Sequence, residues 1–327
     1  MSGSVLGFSL VGCYRVQGSL RPEPGRLDGR WLTSKKGVLT EMSMNSAIER
    51  HNRWQGHMRC SLRAADIWLR SGQFETRPDI LYKMSHFRAS EGTPPMPANI
   101  VDLTKALRLW ERRQPVYAAL FGFEGLEAAL HLIGNVDQAI VNEYFLHEAG
   151  HCIGYSVEEK IRDNFFTPGG EPSPLLIALE ELRADAHGLQ LALEVLEPAD
   201  AVAVFVYYLL QRFGVHVEGL HETGTAPYGL IPYLLFDALQ VAGFYLPHGA
   251  SAQWPTREVL LTCMRDISTI MDDAVTGPEL MAGSPVAAAF AGGSYLRQRL
   301  LEERHTAMFR QMVDGGLAEL HPTLPTQ

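Results

Sequence analysis

The chain has 327 residues, 46% apolar and 20% charged, with a formal net charge of −9. This is the composition of an ordinary globular protein. The acidic balance, with no long Lys or Arg run, argues against a nucleic-acid partner, which requires clustered positive charge. Four cysteines (Cys13, Cys60, Cys152 and Cys263) lie far apart without C-x-x-C spacing. They read as reduced thiols, not as a disulfide frame or a Cys-zinc site.

In chain order, residues 4–20 carry Val5, Phe8, Leu10, Val11, Tyr14 and Val16 and predict one or two short strands. Residues 18–40, with Pro22, Pro24 and several Gly, read as loop. No basic segment precedes the apolar stretch 5–13, so an export signal is not expected. From about residue 41 the pattern turns helical, through Met42 to Leu69, and residues 71–98 read as loop-rich. Asn99 is a candidate cap for a helix to Arg113, and Pro115 is expected to restart another. Trp54, Trp68 and Trp110 read as core.

Asn135 with Gln138 predicts the start of a helix containing Ile140, Val141, Phe145 and Leu146, with Gly154 as its stop. Ser173 and Pro174 predict the start of the next helix, halted by Pro198. Asp200 is expected to cap a helix over 201–213, and the Gly- and His-rich stretch 214–229 to interrupt the helices. Further helices are expected near 230–243, 256–275 and 294–313, the last as a solvated face. The most apolar helix segment, Ala201 to Leu210, is too short to span a bilayer. The expected fold is mainly α, with a small N-terminal β element. Residues 1–40 would pack on a helical metal-binding catalytic domain, 41–327.

The chemistry-bearing stretch is His147-Glu148-Ala149-Gly150-His151, an H-E-x-x-H motif. On a helix its two His project from one face and can reach one metal ion, while Glu148 falls beside a metal-bound water. One helix later comes Glu180-Glu181-Leu182-Arg183-Ala184-Asp185. Catalytic zinc takes three protein ligands and keeps one position open. His147 and His151 supply two, and Glu181 is the candidate third. Asp185, four residues after Glu181, falls on the same helix face and can accept the free N–H of a ligand His. Glu180 lies about 100° round the helix from Glu181 and is not expected to share its task. Glu148 is the candidate general base. His216, His221, Tyr228 and Tyr155 are candidate oxyanion donors, with His221 and Tyr228 preferred.

The pair H-E-A-G-H and E-E-L-R-A-D resembles the zinc site of the dipeptidyl peptidase III family of metallopeptidases, which use a Glu ligand. The resemblance spans about residues 140–200. It places Glu181 at the family's zinc ligand and Asp185 at its last acidic position. It matches His147, Glu148, Gly150 and His151 to the family's His-Glu and Gly-His positions. The family motif is one residue longer between its His residues; this chain has the five-residue form of thermolysin-type enzymes. The chain is also less than half the family's usual length. The resemblance implies a zinc-dependent peptidase-like hydrolase.

Two other classes fit the same residues. Glu148-x-x-His151 and Glu218-x-x-His221, with Glu181 between them, fit a di-iron carboxylate oxidase or oxygenase, with Fe as the metal. A structural zinc site would close all four positions, with His187 or His221 as the extra ligand. Cys152, His187, Arg183 and the Tyr207-Tyr208 pair otherwise read as ordinary packing or surface groups. The favoured reading is a cytoplasmic zinc hydrolase acting on a peptide, amide or related acyl bond. A biosynthetic enzyme reusing the site on a small molecule is the neighbouring alternative. No membrane or nucleic-acid partner is expected, and a homodimer is compatible with the pattern.

Overall fold

A computed structural model describes residues 7–12, 25–32, 39–51, 60, 62–75, 81–87, 96–153, 174–219, 231–244 and 253–276. The sheet comes first. Strands β1 (Gly7–Gly12), β2 (Gly25–Trp31), β3 (Leu62–Ser71), β4 (Leu81–Phe87) and β5 (Met96–Asp102) are ordered β1-β2-β3-β5-β4. Only β3 and β5 pair in parallel; the other neighbours are antiparallel.

Side chains alternate across a strand, so the sheet has two apolar faces. Ala65, Ile67 and Ile100 join Leu10, Leu27 and Phe74 in a small cluster. Leu62, Ala64 and Val101 point the other way, into the main helical core. That double burial erases the polar-apolar alternation that marks a half-buried strand. It explains why 62–69 reads as helix from sequence but is strand. The loop expected over 18–40 contains β2, whose buried positions are Gly25, Leu27 and Gly29 and whose exposed ones are Arg26 and Arg30. The stretch 71–98 likewise contains β4 and the start of β5. The sheet therefore extends past residue 40 to Asp102.

The helical part opens with α1 (Glu41–His51), which sits in chain order before β3. After the sheet follow α2 (Leu103–Phe121), α3 (Phe123–Ile133) and α4 (Val136–Gly150). Next come α5 (Pro174–Val195), α6 (Pro198–Gly219), α7 (Ile231–Val241) and α8 (Arg257–Thr276). Asp102, not Asn99, caps α2, its carboxylate accepting from Lys105 N at 3.2 Å. Pro115 does not break α2. It lies on the exposed side with Glu111, whose carbonyl loses the helical bond that proline cannot donate. Asn135 caps α4 as its spacing predicts, accepting from Gln138 N at 3.2 Å.

Pro198 begins α6 where the sequence reading has it only as a stop, since proline fits a first helical turn. Asp200 is not the cap; it accepts from Gln138 Nε2 of α4 at 3.0 Å. Residues 201–210 are all buried. The helix runs on through Gly214, where a side chain is excluded because a Cβ would stand 2.3 Å from the Tyr117 ring. Trp110 is core at 5% exposed, but Trp68 is 62% exposed, contrary to its core assignment. Trp54 and the helix expected over 294–313 lie outside the described residues. No helix among the described residues is long and apolar enough to cross a membrane.

The site depends on how closely α4 and α5 approach. A Cβ on Gly150 would lie 2.1 Å from the Ala184 carbonyl oxygen, and one on Gly188 would lie 3.0 Å from that of Leu146. The two helices thus meet backbone to backbone at two points, one glycine from each.

Candidate metal centre

His147 and His151 occupy successive turns of α4, and the close crossing brings Glu181 of α5 up to both. His147 Nε2 lies 3.1 Å from Glu181 Oε2 and 3.2 Å from His151 Nε2. His151 Nε2 lies 3.8 Å from Glu181 Oε2. The imidazole planes stand at 85°, with centroids 4.8 Å apart. Among the described residues these three are the one group of His, Cys, Asp or Glu whose donor atoms converge in this way.

Each imidazole is held from behind by a carboxylate. His147 Nδ1 donates to Asp185 Oδ1 at 2.7 Å, and His151 Nδ1 donates to Glu180 Oε1 at 3.0 Å. These partners assign the proton to Nδ1 and turn each Nε2 towards Glu181. Glu180 is itself gripped by Arg183, through Nε to Oε2 and Nη2 to Oε1, both at 2.8 Å. Arg183 also donates to the carbonyl oxygen of Ile153, which ties down the end of α4. Asp185 accepts further bonds from Tyr208 and Arg212 of α6.

The charges follow from this packing. Burial works against a proton on His147, but hydrogen bonds to Asp185 and Glu181 outweigh it and hold the imidazole well above its ordinary range. Burial likewise opposes ionisation of Glu181. The hydrogen bond and charge of His147 prevail, bringing Glu181 down from 4.5 to about 2. Asp185 is held below the usual carboxylate range against its burial, chiefly by Arg212 and His147. In the metal-free protein, then, Asp185 and Glu181 favour a protonated His147 beside the Glu181 carboxylate.

That arrangement suits a metal ion. Bonds of about 2.0–2.1 Å in a tetrahedron set neighbouring donors roughly 3.3 Å apart. The separations of 3.1, 3.2 and 3.8 Å bracket that value. Two neutral imidazoles and one carboxylate are a donor set that zinc takes with a position left open.

Glu148 is half-buried on α4, next to His147, and its carbonyl accepts from Cys152 Sγ at 3.4 Å. Its charge is felt by Glu143, Tyr144 and Cys60. His187 stands apart from the cluster. It faces Asp272 of α8 at 3.6 Å and Gln190 at 3.2 Å. Tyr155, His221 and Tyr228 lie outside the described residues, as do the side chains of His216 and Glu218. Glu180 does not join the converging donors, but it positions His151, a role the sequence reading missed. An offset of about 100° takes it off the face of Glu181 and onto that of the second His. Tyr208 is more than helix packing, because its hydroxyl reaches Asp185 at 3.0 Å.

Fold and cluster together describe a mainly helical chain with a small N-terminal sheet and a His-His-Glu group between two tightly crossed helices. A solved structure of DPP III from Caldithrix abyssi shares this fold, with a TM-score of 0.56 and 13% sequence identity. The match covers 89% of this chain and 55% of that one, so this chain spans little more than half of the solved protein. No protein-family model matches the chain, nor does any curated protein sequence.

Proposed function

We propose that the chain is a zinc-dependent hydrolase of a peptide, amide or related acyl bond. The observation that carries this reading is the convergence of His147 Nε2, His151 Nε2 and Glu181 Oε2, with both Nδ1 atoms committed to carboxylates. His147, His151 and Glu181 would hold the ion. At such a site zinc supplies a lowered water pKa and a polarised carbonyl. Glu148, adjoining the first ligand, takes a proton from the attacking water and returns it to the leaving group. The likeness of the fold to DPP III supports a peptidase-like reaction. A small-molecule amide or ester is the alternative substrate within the same chemistry.

Elemental analysis of protein purified without added metal tests this directly. About one zinc per chain is expected. Glu148→Gln should keep the metal and lose hydrolysis of an amide panel, and His151→Ala should lose both. A chain that neither retains nor binds zinc, or a Glu148→Gln variant with full turnover, would overturn the reading.

A further inference from the structure

The support of His147 continues one helix beyond Asp185. Tyr208 and Arg212 are four residues apart on α6, so both project from one face. Tyr208 Oη donates to Asp185 Oδ2 at 3.0 Å, and Arg212 Nη2 donates to Asp185 Oδ1. The guanidinium carbon lies 5.5 Å from the centroid of the Tyr208 ring, so ring and cation also hold one another. The Asp185 side chain is 1% exposed and that of Arg212 13%. The same Nη2 is 3.3 Å from His147 Nδ1, so the imidazole and the guanidinium meet at one carboxylate oxygen.

A second observation separates this arrangement from ordinary stabilisation. Arg212 Nε is buried and has no hydrogen-bond partner among the described residues. A buried cation with an unmet donor is a poor stabilising element, since desolvation is repaid only when every donor is satisfied. Its cost is understandable if the group is set by the demands of Asp185. The two braces also differ in construction. Glu180 and its Arg183 belong to α5 alone, whereas Asp185 is locked by a third helix.

Resting on the zinc reading above, we infer that Tyr208 and Arg212 are positioning residues for the metal. They fix both oxygens of Asp185, and through Asp185 the ring of His147. The site is thus built from three helices, not two. Without these contacts Asp185 can rotate, and His147 loses its preset orientation.

Zinc affinity of the full chain, measured by competition with a chromophoric chelator, tests the inference without reference to turnover. Arg212→Met should weaken zinc by about ten-fold, the lower end of what loss of an outer partner costs. Tyr208→Phe, which removes one oxygen and keeps the ring, should weaken it by about three-fold. Arg212→Lys, which keeps the charge, should recover part of the loss. The visible spectrum of the cobalt-loaded protein should shift in Arg212→Met and return towards wild type in Arg212→Lys. Should Arg212→Met fail to fold, Tyr208→Phe and Arg212→Lys carry the test, with the melting of the metal-free forms as control. Wild-type affinity and an unchanged cobalt spectrum in these variants would overturn this inference alone. Failure of the wild-type chain to bind zinc would overturn the metal site and this inference with it.

Discussion

Gly150 of α4 stands against the backbone of Ala184 of α5, so closely that a Cβ on the glycine would sit 2.1 Å from the Ala184 carbonyl oxygen. The obstacle is backbone, so no side-chain rotation relieves it. In an isolated helix Gly→Ala is worth about 1 kcal/mol in favour of alanine. Here the sign reverses, because the helices must move apart. Gly150→Ala is expected to cost about 1–3 kcal/mol of stability, the usual penalty for overpacking. It should also weaken zinc, since the crossing sets the reach of Glu181. Urea unfolding and chelator competition check the two effects; a more stable variant with normal metal binding would refute the account.

Metal capture should release a proton. His147 is held protonated well above its ordinary range in the metal-free protein, and zinc needs the neutral ring. Below that raised pKa, apparent affinity should fall about ten-fold per unit of acidification. Calorimetry in buffers of different ionisation enthalpy would count the proton released.

The stability of the metal-free protein should bend in both directions. The folded pKa of His147 is raised, so its contribution is fully present below the ordinary imidazole value of 6.5 and is lost as pH rises through the folded value. Glu181 is depressed to about 2, so its contribution is present above 4.5 and is lost as pH falls towards 2. Urea midpoints of chelator-treated protein should therefore be highest near about pH 5.5 and lower at about pH 3.5 and pH 9. His147→Gln should flatten this dependence at both ends.

Glu180→Gln keeps the size of the side chain but removes the charge that Arg183 and His151 share. A zinc affinity 10–100-fold below wild type is expected, with the metal still bound at one per chain. Glu181→Gln, which alters a proposed ligand itself, should weaken zinc further. Equal losses in the two variants would contradict the division of labour between ligand and brace.

Asp102 provides a control far from the metal chemistry. It is wholly buried, caps α2 and pairs with Arg70 of β3. Asp102→Ala removes both roles and should cost about 3 kcal/mol. Asp102→Asn retains a good cap and should cost less. Chemical denaturation measures both, and zinc affinity of the folded fraction should not change in either.

The helical centre was legible because its signals are local. Asn135 and Gln138 mark the start of α4, and the intervals between His147, His151, Glu181 and Asp185 translate directly into helix faces. The strands were hidden for physical reasons. In β3, Ala64 and Ala65 enter opposite apolar surroundings, so burial on both faces removes the alternation that would have marked the strand. Gly214 looked like a break, yet it is the space a Tyr117 ring requires inside a continuous helix. Arg212 was invisible because nothing within 27 residues of Asp185 along the chain announces that α6 folds back onto it. A tertiary contact chose that arginine, not a local pattern.

All three carboxylates of the centre, Glu180, Glu181 and Asp185, lie within two turns of α5. A rotation of that helix about its own axis by a single residue would withdraw the ligand and both braces together. On the proposed zinc reading, retention of the ion would report whether α5 has docked in register, and metal loading during folding would act as a latch that closes only on the correctly seated helix.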